Sequence, residues 1–124
     1  MAPEAVHQRL YSSQSDVWSY GILLWEIMTM GESPFKDVPI EAFPDALNNG
    51  IYPSQPINCP VNVYTIMLEC WRFFPEERPT WDLLVNAMHN LCASKMFSSI
   101  FNTYSLGNNR SFLKPHFEFY PGLI

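Results

Sequence analysis

The stretch from Asp16 to Met30 constrains the fold more than any other part of these 124 residues. On a helix of this length, Val17, Trp18, Tyr20, Ile22, Leu23, Leu24, Trp25, Ile27 and Met28 leave almost no polar face. The longest apolar run, at Ile22–Trp25, is cut by Glu26 and is far too short to span a bilayer. A helix apolar on every side and too short for a membrane belongs in the middle of a protein core. Local signals predict its ends. Ser15 suits an N-cap, Asp16 suits the positive helix terminus, and Gly31 suits the left-handed position after the last turn.

Other helices are expected to surround it. Tyr64, Met67, Leu68 and Trp71 recur at i, i+3, i+4 and i+7, predicting a helix over about 61–73 that Pro75 ends. Thr80 is expected to cap a third helix running to about Cys92, with Trp81, Leu84, Val85, Met88 and Leu91 on one face. Between the first two, a short helical stretch reaches Asn48, and Pro44 inside it is expected to kink it or confine it to a turn or two. Pro53, Pro56 and Pro60 make residues 51–60 an extended loop. No segment before residue 93 alternates with the period of two that strands require, so the expected class is all-α. From residue 93 to 124 the chain becomes an irregular tail, with Phe97, Phe101, Tyr104, Phe112, Phe117, Phe119 and Tyr120 following neither period.

Composition excludes several functions. A net charge of −5 without a Lys/Arg cluster argues against nucleic-acid binding and against a polybasic membrane contact. Cys59, Cys70 and Cys92 are odd in number and lack metal-ligand spacing, which predicts free thiols in a reducing compartment. Cys70 lies on the apolar face beside Trp71 and is expected to be a buried small hydrophobe. His7, His89 and His116 have no acidic or thiol partner at ligand spacing, so neither a metal nor a catalytic histidine is expected. Met1-Ala2-Pro3-Glu4 has no apolar h-region, so no signal peptide is expected, and the chain reads as soluble and cytoplasmic.

Three segments in order carry a family resemblance. Met1-Ala2-Pro3-Glu4 resembles the close of the activation segment in tyrosine kinases. The run Gln14-Ser15-Asp16-Val17-Trp18-Ser19-Tyr20-Gly21-Ile22-Leu23-Leu24-Trp25-Glu26-Ile27 is similar to the central F helix of the kinase large lobe. Cys70-Trp71, followed by Pro75-Glu76-Glu77-Arg78-Pro79-Thr80, resembles the entry into the last helix of that fold. Ser33-Pro34-Phe35, Val38-Pro39 and Asn58-Cys59-Pro60 are similar to receptor kinases of the fibroblast- and platelet-derived-growth-factor type. The resemblance therefore implies a partial tyrosine kinase domain over residues 1–92: the lower half of the large lobe, with a buried central helix and three following helices. Residues 93–124 remain unassigned. Pro44 departs from the family, whose helix at this point is uninterrupted.

The resemblance also implies roles for particular residues, all of them structural. Glu4 and Arg78 are expected to form a buried ion pair tying the activation segment to the last helices, with Trp18 and Trp71 in the core. The aspartate matching Asp16 holds the catalytic loop in complete kinases; without such a loop here, Asp16 is expected to act as a helix N-terminal charge. Leu23 and Ile27 match positions that support an apolar spine in complete kinases, and here they are expected to be ordinary core residues.

Phosphoryl transfer needs a Gly-rich loop, a paired lysine, a His-Arg-Asp loop and an Asp-Phe-Gly metal aspartate. The sequence contains no G-x-G-x-x-G, no His-Arg-Asp and no Asp-Phe-Gly. Catalytic, cofactor and metal residues are accordingly expected to be none, although the complete family enzyme uses ATP and Mg. Two functions follow. One is a truncated piece of a receptor-type tyrosine kinase, its parent a plasma-membrane receptor with a cytoplasmic kinase domain. The other is a non-catalytic interaction module or competitor that offers exposed large-lobe surface to protein partners. In either case, residues 93–124 cover the apolar surface of the central helix, or the molecule exposes it and self-associates.

Overall fold

The computed structural model describes residues 1–93. Among them are five α-helices, two short 3₁₀ turns and no strand. The helices are α1 (Pro3–Gln8), α2 (Ser13–Met28), α3 (Phe43–Asn48), α4 (Val61–Cys70) and α5 (Trp81–Ala93). The expected domain boundary at 92–93 falls at the end of α5. The irregular aromatic tail and its packing lie outside the described residues.

The start of α2 differs from the sequence expectation. Ser12, not Ser15, is the N-cap, and its hydroxyl accepts hydrogen bonds from the Gln14 and Ser15 amides at 3.2 and 3.3 Å. Ser15 answers from the third position of the helix, its Oγ accepting from the Ser12 amide at 2.8 Å. Three amides at the helix start are thereby satisfied, those of Ser12 and Ser15 reciprocally. Ser15 suits an N-cap by residue type, but Ser12 precedes it at capping-box spacing, and the helix gains three residues.

The far end is also shifted by one. Met30, at φ 62°, takes the left-handed position, and Gly31 follows at φ 97°. The Gly31 amide donates to the Glu26 carbonyl at 2.8 Å and the Met30 amide to the Ile27 carbonyl at 3.1 Å, closing a Schellman motif.

Two other differences have local causes. α1 is not foreseen from the sequence. It is only six residues long, too short for an apolar period to register, and it begins with Pro3 in the first turn, where no amide is needed. α4 stops at Cys70 because the Trp71 amide is shared between the Met67 and Leu68 carbonyls at 3.1 and 3.2 Å, tightening the last turn. Pro44 does not kink a helix. It sits in the first turn of the six-residue α3, directly after the 3₁₀ turn Ile40–Ala42.

α2 packs chiefly against α4, α5 lies on α4, and α3 closes on α1. Val17, Trp18, Leu24, Met67, Cys70, Trp71, Leu84 and Met88 form the centre of one core. Gly21 sets the distance between α2 and α4. A β-carbon there would lie 2.7 Å from Trp71 Nε1 and 2.8 Å from Cys70 Cβ. Gly21→Ala should therefore lower stability despite the better helix propensity of alanine, since about 1–3 kcal/mol of overpacking exceeds a propensity gain of about 1 kcal/mol. Urea denaturation followed by tryptophan fluorescence checks the sign. An unchanged or raised midpoint would show that the two helices part without strain.

Candidate functional site

The chemistry of the described residues converges on one guanidinium. Arg78 is 4% exposed, and its side chain has no exposure at all. A guanidinium has five N–H donors in a fixed fork, and all five are used. Nη1 donates to Glu4 Oε1 at 2.7 Å and to the Gln14 carbonyl at 2.8 Å. Nη2 donates to Glu4 Oε2 at 2.9 Å and to the Phe73 carbonyl at 3.1 Å. Nε donates to the Arg72 carbonyl at 2.8 Å. The Trp18 ring lies beneath the group, 5.1 Å from its central carbon, on the face where π electrons attract a cation.

Local structure puts each partner in place. Pro3 starts α1 and sets Glu4 in its first turn. The capping box fixes the start of α2, which presents the Gln14 carbonyl and, one turn later, Trp18. The 3₁₀ turn Pro75–Glu77 brings Arg78 back under the end of α4. Gln14 adds a second clamp, its Nε2 reaching the Pro75, Arg78 and Pro79 carbonyls at 3.3, 3.3 and 3.4 Å. Sequence reasoning missed Gln14. Its only sequence signal is its position at the head of the central helix, and no spacing rule connects it to residues more than sixty positions away.

Burial by itself would raise the Glu4 carboxyl pKa. The Arg78 hydrogen bonds, a backbone hydrogen bond and the guanidinium charge outweigh it, and the net shift is downward. A carboxyl that titrates lower in the folded state stabilises fully above its unfolded pKa. That stabilisation is lost as pH falls through the folded value. Both this pair and Glu69–Arg72 are bidentate, but the first is shielded, whereas the side chains of the second are nearly half exposed and contribute little.

The other residues singled out in the sequence sit apart from this node. Asp16 is exposed in the first turn of α2. Trp71 is 4% exposed and caps α4, with Tyr52 stacked on it at 6.2 Å and Tyr64 edge-on at 6.4 Å. Leu23 and Ile27 are not core residues. Both are half-buried and outside the core cluster, because α4 covers the opposite side of α2, where Val17, Gly21, Leu24 and Met28 are sealed. An all-apolar helix gives no sign of which side its neighbour takes. Cys70 is fully buried and its thiol is pushed up to about 12, chiefly by burial, which leaves it inert as a nucleophile.

Among the described residues no three His, Cys, Asp or Glu side chains converge as a metal site requires. A nucleotide–magnesium complex needs amide-lined loops, a lysine against the phosphates and metal carboxylates. The described residues do not supply that set, and no transfer step is derived through it. No described helix is long and apolar enough to cross a membrane.

Comparison with known proteins fits this arrangement. Residues 1–88 match the family model described as protein tyrosine and serine/threonine kinase. The chain belongs to this kinase family. It is 45% identical over 93 residues to fibroblast growth factor receptor 1 of Xenopus laevis, covering 75% of this chain and 12% of that receptor. It is 47% identical over 91 residues to a fibroblast growth factor receptor of Strongylocentrotus purpuratus, covering 73% of the chain and 9% of the receptor. A receptor of the same name from Hydra vulgaris is 43% identical over 91 residues, covering 73% and 11%. The chain thus spans about a tenth of the length of the curated relatives it matches. It represents part of a tyrosine kinase domain of the receptor type, similar to fibroblast growth factor receptors.

Two measurements test the node. Glu4→Ala leaves a buried cation with three carbonyl partners, and should cost about 3–5 kcal/mol in chemical denaturation. A Glu4→Gln, Arg78→Met double-mutant cycle should return a coupling of about 1–3 kcal/mol. Coupling near zero would mean that the pair does not join the two segments. On acidification below the ordinary carboxylate range, the wild-type chain should lose stability more steeply than Glu4→Gln. Parallel pH curves would contradict the lowered carboxyl.

Proposed function

We propose that this chain is the lower part of the large lobe of a receptor-type tyrosine kinase domain, and that its role is to brace the end of the activation segment. In the complete enzyme the reaction is phosphoryl transfer from ATP to protein tyrosine, on the cytoplasmic side of a plasma-membrane receptor. The supporting observation is the fully satisfied Arg78, which joins Glu4 in α1, Gln14 at the head of α2 and the Arg72–Phe73 backbone after α4. A guanidinium with no spare donor and no solvent contact serves as a brace. It has nothing left with which to bind a phosphate or a substrate carboxylate.

In this reading the 124 residues are catalytically incompetent alone. Kinase catalysis consists of positioning plus electrostatic stabilisation of the transferring phosphoryl group. The loops that provide both are not in this sequence. A second reading, a non-catalytic interaction module or competitor, draws on the exposure of Ile40 at 88% and Ile57 at 87%. Side chains of that size standing in solvent suit a surface that meets another protein.

Titration of the purified chain with ATP and Mg²⁺ by calorimetry should be flat. Incubation with labelled ATP and a tyrosine-containing peptide polymer should transfer no phosphate. Saturable binding, or transfer lost on Glu4→Ala, would overturn the incompetent reading. Inhibition of an intact relative's kinase activity by added chain would favour the competitor.

A further inference from the structure

We infer that Asn49 is a site of spontaneous deamidation gated by the cap that ends α3, and that the carboxylate it leaves behind holds that cap open. No other asparagine in the chain is followed by glycine. Asn49 and Gly50 are both exposed. The backbone nitrogen of Gly50 attacks the Asn49 carboxamide carbon, forming a ring C–N bond. The carboxamide C–N bond breaks, and the proton lost from the Gly50 amide ends on the departing ammonia. Water then opens the cyclic imide at either carbonyl, giving aspartate or isoaspartate. Glycine suits the step because no side chain hinders approach of its nitrogen.

The closed cap withholds both things the attack requires, position and a free nitrogen. Asn49 is the C-cap of α3, at φ −86° and ψ 8°. At that ψ the Gly50 nitrogen eclipses the nitrogen of Asn49 itself, whereas ring closure needs it to eclipse the β-carbon. Gly50 follows in the left-handed region at φ 79°. Its amide donates to the Leu47 carbonyl at 3.1 Å, and the Ile51 amide donates to the Ala46 carbonyl at 3.1 Å. This is a Schellman motif, and it turns the attacking nitrogen away while engaging its proton. The reaction waits for the last turn to open.

Opening can be local. α3 has only six residues, too few to hold a helix without packing. It is held by Leu47, 1% exposed, and by His7 of α1, whose Nε2 donates to the Pro44 carbonyl at 3.0 Å. Its last turn can therefore part without unfolding α2, α4 or α5. The product then opposes closure. A carboxylate at position 49 stands four residues after Asp45 on one helix face and at the negative end of the helix dipole. Isoaspartate also adds a carbon to the backbone and shifts the register of the cap. The inference does not rest on the kinase reading, because neither nucleotide nor substrate takes part.

The test incubates the full chain at one mildly alkaline pH, folded in buffer and unfolded in guanidinium chloride. Peptide mapping by mass follows each asparagine, and isoaspartyl methyltransferase labels the isoaspartate. In denaturant Asn49 should react fastest of all the asparagines. In the folded chain it should react at least about tenfold more slowly, as gating by local opening requires. His7→Ala and Leu47→Val, each confirmed as folded by near-ultraviolet circular dichroism, should raise the folded-state rate at least about threefold and leave the denatured rate unchanged. In Asn49→Asp, hydrogen exchange at the Gly50 and Ile51 amides should quicken at least about threefold. A different asparagine reacting first in denaturant would overturn the site. Equal rates folded and unfolded, or a folded rate that neither variant changes, would overturn the gating. Undiminished protection in Asn49→Asp would overturn the lasting opening.

Discussion

Three separate parts of the described chain meet at one buried cation, Arg78, and its needs constrain how they assemble. Removing Arg78 from water would be prohibitive without partners, since a buried charge is tolerated only when paired and fully hydrogen-bonded. The chain meets that condition with a carboxylate from α1, a carbonyl from the head of α2, two carbonyls from the turn after α4 and the face of Trp18. The Arg72 and Phe73 carbonyls lie within six positions of Arg78, but Gln14 is 64 and Glu4 74 positions away. The node can form only when α1, α2 and the α4–α5 connection already sit in their places. It therefore acts as a check on assembly as much as a source of stability.

The core beside it solves a different problem, the close approach of two helices. Gly21 has no side chain, so Trp71 and Cys70 reach the backbone of α2. Trp71 then carries Tyr52 and Tyr64 on its faces, and through them the loop of residues 51–60 is held to α4. The Tyr64 hydroxyl donates to the Pro53 carbonyl and the Trp25 indole to the Ser54 carbonyl, so a proline-rich segment that belongs to no helix is pinned from two of them.

Much of this was legible in the sequence, for reasons that can be named. The apolar run Val17–Met28 demanded a buried helix because no other soluble arrangement hides it. The i, i+3, i+4, i+7 stripe through Tyr64 and Trp71 announced α4, and Thr80 announced the start of α5, where its hydroxyl accepts from the Leu83 amide. Less was legible where local signals compete. Ser12 and Ser15 both suit an N-cap, and only the reciprocal pair of hydrogen bonds decides between them. α1 is a single turn and a half, and its helicity rests on packing against the rest of the chain rather than on any pattern of its own.

Periodicity and motif order are properties of the chain as written, and they were enough to specify the helical class of residues 1–93, the placement of three of its helices and the family. Tertiary structure alone decided which side of α2 is covered. α4 approaches over Gly21, and Leu23 and Ile27 are left half-buried on the other side. It alone also recruited Gln14 and the main-chain carbonyls to Arg78. A carbonyl is present at every residue and a guanidinium at few, so sequence can name the donor. Only the fold can bring the acceptors to it.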